Sequence, residues 1–217
     1  VLKKLLRKEL LLWEGRASFL LALTFFSLLL SVVAAFSLQR IGISQRERLI
    51  LAPGVITIAI LFIASGLFNQ ISLVERTNEA LHGLFLQGYS GMSLFLSKFL
   101  ASTALLCFLT LIFLLGFGLL FEPALLSIGV AAVIFPTLLG LSALGTLLSM
   151  IAVTSSGREI LFPVIYFPLV IPLLGGEVLL LREILDGGEP GGFPLKLVWG
   201  LGVLYTALGA LLFEETM

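Results

Sequence analysis

Six stretches free of Asp, Glu, Lys and Arg, at residues 17–39, 49–74, 99–121, 123–157, 160–176 and 197–213, constrain this chain more than any other feature. About 20 helical residues, with a range of roughly 17 to 25, cross a hydrocarbon core of ~30 Å, so each stretch is long enough to span a bilayer. A soluble fold has no place for them, because its outside must be largely polar. Here 59% of residues are hydrophobic and only 12% are charged, against roughly 25% charged in a soluble domain. The 13 Lys+Arg offset the 13 Asp+Glu, and there is a single Cys. That balance excludes a nucleic-acid binder, a disulfide-stapled secreted domain and a disordered chain.

The predicted architecture is all-α: one transmembrane domain over 1–217, with six spans near 17–38, 50–74, 95–121, 136–155, 160–176 and 196–213. The run 123–157 is too long for one upright helix. It reads as a loop near Pro123, a short apolar lead-in, and a span opening at Pro136. In the fifth span Pro163, Pro168 and Pro172 each remove a backbone donor. This predicts a kinked helix packed against neighbours, with the prolines in a structural or gating role. It is expected to end at Gly175-Gly176, with residues 177–194 forming an outer re-entrant turn and a loop. On this reading no ionisable residue lies inside a span, which argues against an ion-driven carrier.

Lys and Arg distribution gives the orientation. Lys3, Lys4, Arg7, Lys8, Arg16, Arg76, Lys98 and Arg158 fall on one side, and Arg40, Arg46, Arg48, Arg182 and Lys196 on the other. The excess predicts that both termini are cytoplasmic. Leu5, Leu6, Leu10 and Trp13 alternate with Lys3, Lys4, Lys8 and Glu9. That pattern reads as an amphipathic helix on the inner membrane surface and not as a cleavable signal peptide.

Between the second and third spans, residues 75–94 break the hydropathy pattern. Ala80, Leu81, Leu84 and Phe85 have helical spacing, whereas His82, Gln87, Gly88, Ser90 and Gly91 interrupt any further span. A short interfacial helix is expected there, followed by a turn at 88–91, with Ser90 capping the third span and Lys98 snorkelling to the interface. Such a helix can be gripped by a soluble partner; it can equally be a plain connector.

The chemistry-bearing motifs are sparse. There is no G-x-x-x-x-G-K-[ST] loop, so any ATPase is another polypeptide. His82 reads as an exposed polar residue and Cys107 as a small packed side chain in the third span, so neither forms a metal or haem site. Gly88-Tyr89-Ser90-Gly91 spells the G-x-S-G of intramembrane serine proteases. However, the only His lies on the same loop, eight residues upstream of Ser90, with no second span to hold it as a base. In the fourth span Ser142/Thr146 and Gly145/Ser149 form small-xxx-small pairs suited to close helix contact.

From Leu51 to Leu174 the chain resembles the haem exporter protein B family, the permease component of the cytochrome c maturation system. The matching residues are Ala52-Pro53-Gly54, Glu75-Arg76 with Ala80-Leu81-x-Gly83-Leu84 and Lys98, FPTLLGLSALGTLL at 135–148, and Arg158-Glu159 with ILFPVIYFPLVIPLL at 160–174. Where that family has a Pro-containing segment after the short helix, this chain has Gln87-Gly88-Tyr89-Ser90-Gly91. The resemblance implies a six-span ABC-2-type permease of the bacterial inner membrane, non-catalytic, with a cytoplasmic coupling helix. By the same resemblance Glu75, Arg76, Ala80, Leu81, Gly83 and Leu84 would contact the ATPase. The implied partners are the ABC ATPase of the cytochrome c maturation system, its membrane subunits C and D, and a haem chaperone. ATP would then bind to the partner, and haem would be a cargo, not a resident cofactor. Other readings are an ABC-2 permease for a lipid, drug or polysaccharide, a passive scaffold, and a membrane protease using Ser90.

Overall fold

The structure is a computed structural model that describes Leu5, Glu9 and residues 17–39, 44–78, 90–154 and 158–215. Within these ranges, side chains 45, 72–78, 150–154, 158–163 and 214–215 are left undescribed. Among the described residues, six helices are long and apolar enough to cross a membrane. They are α1 (Ala17–Leu38), α2 (Gln45–Asn78), α3 (Gly91–Leu120), α4 (Ile128–Thr154), α5 (Arg158–Leu185) and α6 (Gly192–Glu215), with a 3-10 turn at Pro123–Leu126. All-helical construction follows from the solvent, because hydrocarbon satisfies no backbone group and each span must bond its own.

Helix α4 is the hub. It packs on α2, α3, α5 and α6 and is the most buried span, whereas α1 and α6 are the most exposed. Lipid tails are as apolar as the helix surfaces, so association depends on close packing and small residues. The small-residue pairs of α4 serve this purpose. Ser142, Thr146 and Ser149 are buried, and Thr146 meets Ser102 of α3 at 3.1 Å. A Cβ on Gly145 would lie 2.5 Å from Phe68 Cε2 of α2, so the glycine is a notch for that ring. Gly140 and Gly202 likewise let the α4 and α6 backbones touch, since a Cβ on Gly140 would stand 3.5 Å from the Gly202 Cα.

Three expected boundaries change. Helix α2 starts at Gln45, before the charge-free run, because Ser44 and Glu47 form a capping box. In it the Ser44 N–H and Oγ each lie 2.8 Å from Glu47 Oε2. Helix α4 starts at Ile128, so Pro136 lies inside it and does not open it. Helix α5 does not stop at Gly175-Gly176 but continues to Leu185, and the connection to α6 shrinks to residues 186–191. The reason is packing: a Cβ on Gly176 would come within 2.7 Å of Val198 Cγ2 on α6, so this glycine admits a neighbour and does not break the helix. The connection itself turns at Gly187, whose φ is 82°, and is tied by the Gly191 N–H donating to Glu183 Oε2 at 3.2 Å.

The prolines of α5 also differ from expectation. The helix is continuous through Pro163, Pro168 and Pro172, and Pro168 and Pro172 lie on its exposed face. The opposite face buries Tyr166, Val170, Leu173, Glu177, Leu180 and Leu181.

Candidate functional site

Two regions carry polar chemistry. The first is the end of the bundle where α2 leaves the core and α3 enters it. Glu75 and Arg76 lie in the last turn of α2, with side chains undescribed, and Ala80, Leu81, Gly83 and Leu84 lie outside the described residues, as does His82. What the structure shows there is the start of α3 and its partner. Leu5 and Glu9, four positions apart in sequence, meet Leu94 and Lys98, one turn apart on α3. Leu5 and Leu94 form a small buried cluster of their own, and Lys98 Nζ stands 3.7 Å from Glu9 Oε1. With side chains only 10% and 12% exposed, the ion pair is sheltered. Lys98 is therefore held by the N-terminal segment, where the sequence predicted snorkelling to the interface. Glu9 was read only as part of an amphipathic pattern, and a single sequence gives no sign of its partner.

Ser90 occupies the N-cap position of α3 as expected, but its side chain makes no cap hydrogen bond. Its hydroxyl is exposed and pairs with Ser93 Oγ at 2.8 Å. Cys107 is part-buried in α3. Among the described residues, no group of three His, Cys, Asp or Glu side chains is placed to hold a metal.

The second region was missed. Glu177, expected to open the outer segment 177–194, is 0% exposed in the middle of α5's packed face. The Thr57 hydroxyl of α2 faces it. Neither carboxylate oxygen and not the Thr57 hydroxyl completes a hydrogen bond among the described residues. Farther along the same two helices Phe68 and Tyr166 meet with ring centroids 6.3 Å apart. Thr57 to Phe68 and Glu177 to Tyr166 are both steps of about three helical turns in opposite chain directions, so α2 and α5 run antiparallel in a defined register. Helix α4 adds a third group. Gly129 approaches Ile184 and Gly140 approaches Leu173, which sets Thr137 level with Glu177. Thr137 is also fully buried with its hydroxyl unsatisfied among the described residues. One signal of this arrangement is in the sequence: VLLLREIL after Glu177 is apolar enough to continue a helix. Treating each charge as a span end concealed it.

A profile of the ABC-2 type transporter family matches residues 1–175. Comparison with curated proteins and with solved structures gives no match.

Proposed function

Because the chain belongs to the ABC-2 type transporter family, whose members are non-catalytic membrane permeases working with an ABC ATPase, we propose that it is the permease of a haem-exporting or haem-delivering complex in cytochrome c maturation. The family membership supports the permease part. The resemblance over residues 51–174, and above all the Pro-rich run at 160–174, supports the cytochrome c part. In this reading Glu75, Arg76, Ala80, Leu81, Gly83 and Leu84 receive the ATPase on the cytoplasmic side of the inner membrane, where both termini also lie. Membrane subunits C and D and a haem chaperone are the further partners. Pro163, Pro168 and Pro172 soften α5, since each removes one main-chain bond. Hydrolysis on the partner then moves the spans, and either haem itself or its chaperone is released outside.

The observation that supports coupling most directly is the sheltered Lys98–Glu9 pair with its Leu94–Leu5 neighbour. It fastens the N-terminal segment to the helix that leaves the proposed coupling loop. A push on the loop therefore reaches α3 and the N-terminal segment together. The test is charge reversal at Glu75 or Arg76, or Gly83→Trp, in the full complex. Such variants should fold and enter the membrane yet lose both ATPase co-purification and c-type cytochrome assembly. Retention of both by folded variants defeats the coupling assignment. Normal cytochrome assembly in cells lacking the protein, together with co-purification of an ATPase with the protein from cells that make it, defeats the haem reading in favour of a permease for another substrate.

A further inference from the structure

Glu177 is used by nothing in the coupling reading, yet it occupies the most demanding position a carboxyl can take. It lies about two turns from the end of α5, within the candidate span Val164–Leu185, and is fully buried. Ionisable groups at such depth are paired, neutralised or functional, because an uncompensated buried charge costs several kcal/mol. Among the described residues, no countercharge stands beside Glu177. Helix α4 contains no ionisable residue from Ile128 to Thr154. On α2 the nearest are Arg46, Glu47 and Arg48 in its first turn, more than two turns from Thr57, and Glu75 and Arg76 at its other end. On α6 Lys196 is exposed in the first turn, and Glu214 and Glu215 lie at the far end. On α5 itself Arg182 is exposed, Glu183 is occupied by the Gly191 N–H, and Arg158 and Glu159 are at the opposite end. Asp186 is exposed in the connection.

The hydroxyls in register with the carboxyl are those of Thr57, which faces it, and Thr137 at its level on α4, both without a completed hydrogen bond among the described residues. A hydroxyl can accept a hydrogen bond from a neutral carboxyl or donate one to either form, but it brings no charge to offset that of the carboxylate. Two or three oxygens are too few to replace the hydration shell of an alkali ion, whereas a proton needs only one acceptor.

We propose that Glu177 and Thr57 form a proton-binding site in the contact between α2 and α5, filled when that contact is closed and emptied when it opens to water. The carboxylate takes one proton to become the acid on closing and returns that proton to water on opening. Each excursion of the two helices then moves one proton on and off the protein, and acid favours the closed packing. An ATP-driven cycle that separates α2 from α5 thereby acquires a pH dependence of its own. Only this last step rests on the permease reading; the site stands without it.

The test uses dicyclohexylcarbodiimide, an apolar reagent to which a protonated carboxyl adds whole while an ionised one does not. The intact protein, with any ATPase that co-purifies, is reconstituted in phosphatidylcholine vesicles and labelled across a pH series, and peptides are read by mass spectrometry. Labelling is expected at Glu177, falling about tenfold per pH unit above its midpoint, indifferent to sodium, and absent in Glu177→Gln. It should slow or speed several-fold when vanadate traps the ATPase. No labelling at any pH, or labelling independent of pH, overturns the site. Protection by sodium at constant pH overturns the proton in favour of an alkali ion. Equal rates in the resting and trapped states overturn the link to helix movement. Glu177→Gln keeps the shape and hydrogen-bonding capacity without the charge, so it should fold and turn over with a flattened pH profile. A wild-type profile in that variant also refutes the proposal.

Discussion

Replacing Gly145 by Ala is the sharpest test of how the bundle is assembled. The added methyl would sit 2.5 Å from Phe68 Cε2 and Cγ, against ordinary carbon contacts of about 3.5 to 4.0 Å. The ring would have to retreat by about 1 Å, and there is little room for it: Phe68 is fully buried and its centroid lies 6.3 Å from that of Tyr166. Overpacking of this kind costs roughly 1 to 3 kcal/mol. Removing a helical glycine returns roughly 0.5 to 1 kcal/mol. Gly145→Ala should therefore destabilise by about 1 to 2 kcal/mol, measured by reversible unfolding in mixed micelles. Phe68→Ala removes the Cγ, Cδ2 and Cε2 atoms that collide, so the double variant should be more stable than the sum of the two single changes predicts. The interaction energy should be about 1 to 2 kcal/mol in favour of the pair. A neutral Gly145→Ala, or strict additivity in the double variant, would show that Gly145 is not the notch for Phe68.

Three further outcomes follow from the same geometry. Lys98→Glu should release the N-terminal segment, seen as faster proteolysis near Glu9, and the exchange Lys98→Glu with Glu9→Lys should restore at least half of the protection. A pair only 10–12% exposed should show a coupling of about 1 to 2 kcal/mol in that cycle, and no coupling would discard the clamp. Thr146→Val, which breaks the 3.1 Å contact with Ser102, should cost only about 0.6 kcal/mol because membrane hydrogen bonds are weak on average; a loss of several kcal/mol would reveal a larger network. A cysteine at Glu189, in the exposed connection between α5 and α6, should react with a membrane-impermeant thiol reagent added outside intact cells, whereas reaction only after lysis would invert the orientation.

The number of spans was legible because charges are costly in hydrocarbon, so uncharged runs of sufficient length announce themselves. Their ends were less legible, for two opposite reasons. Arg46, Glu47 and Arg48 are charged yet helical, since a cap at Ser44 extends α2 beyond the apolar run. Gly175-Gly176 looked like a terminator but is interior, where Gly176 makes room for Val198. The small residues of α4 were recognisable as a packing device. Which bulky side chain enters the notch is a property of three-dimensional neighbours, and one sequence does not encode it by spacing. Glu177 was hidden by the rule that had located the spans: a carboxyl at the end of an uncharged run reads as a boundary, and only the continued α5 helix reveals it as interior. The same continuation turned the expected outer re-entrant segment into helix and a short connection.

The two meeting points of α2 and α5 are unequal, and this decides how the helices can move. Sliding α2 by one turn would drag Phe68 out of its notch and set Glu177 against Ile60 or Leu61 in place of a hydroxyl. Rotation about Phe68 asks for neither. With the ring as fulcrum and Thr57 roughly 16 Å away along the axis, a tilt of about 10 degrees would carry the hydroxyl some ~3 Å from the carboxyl, enough to admit a water molecule. The aromatic end thus behaves as a hinge pin and the polar end as the free edge of a door.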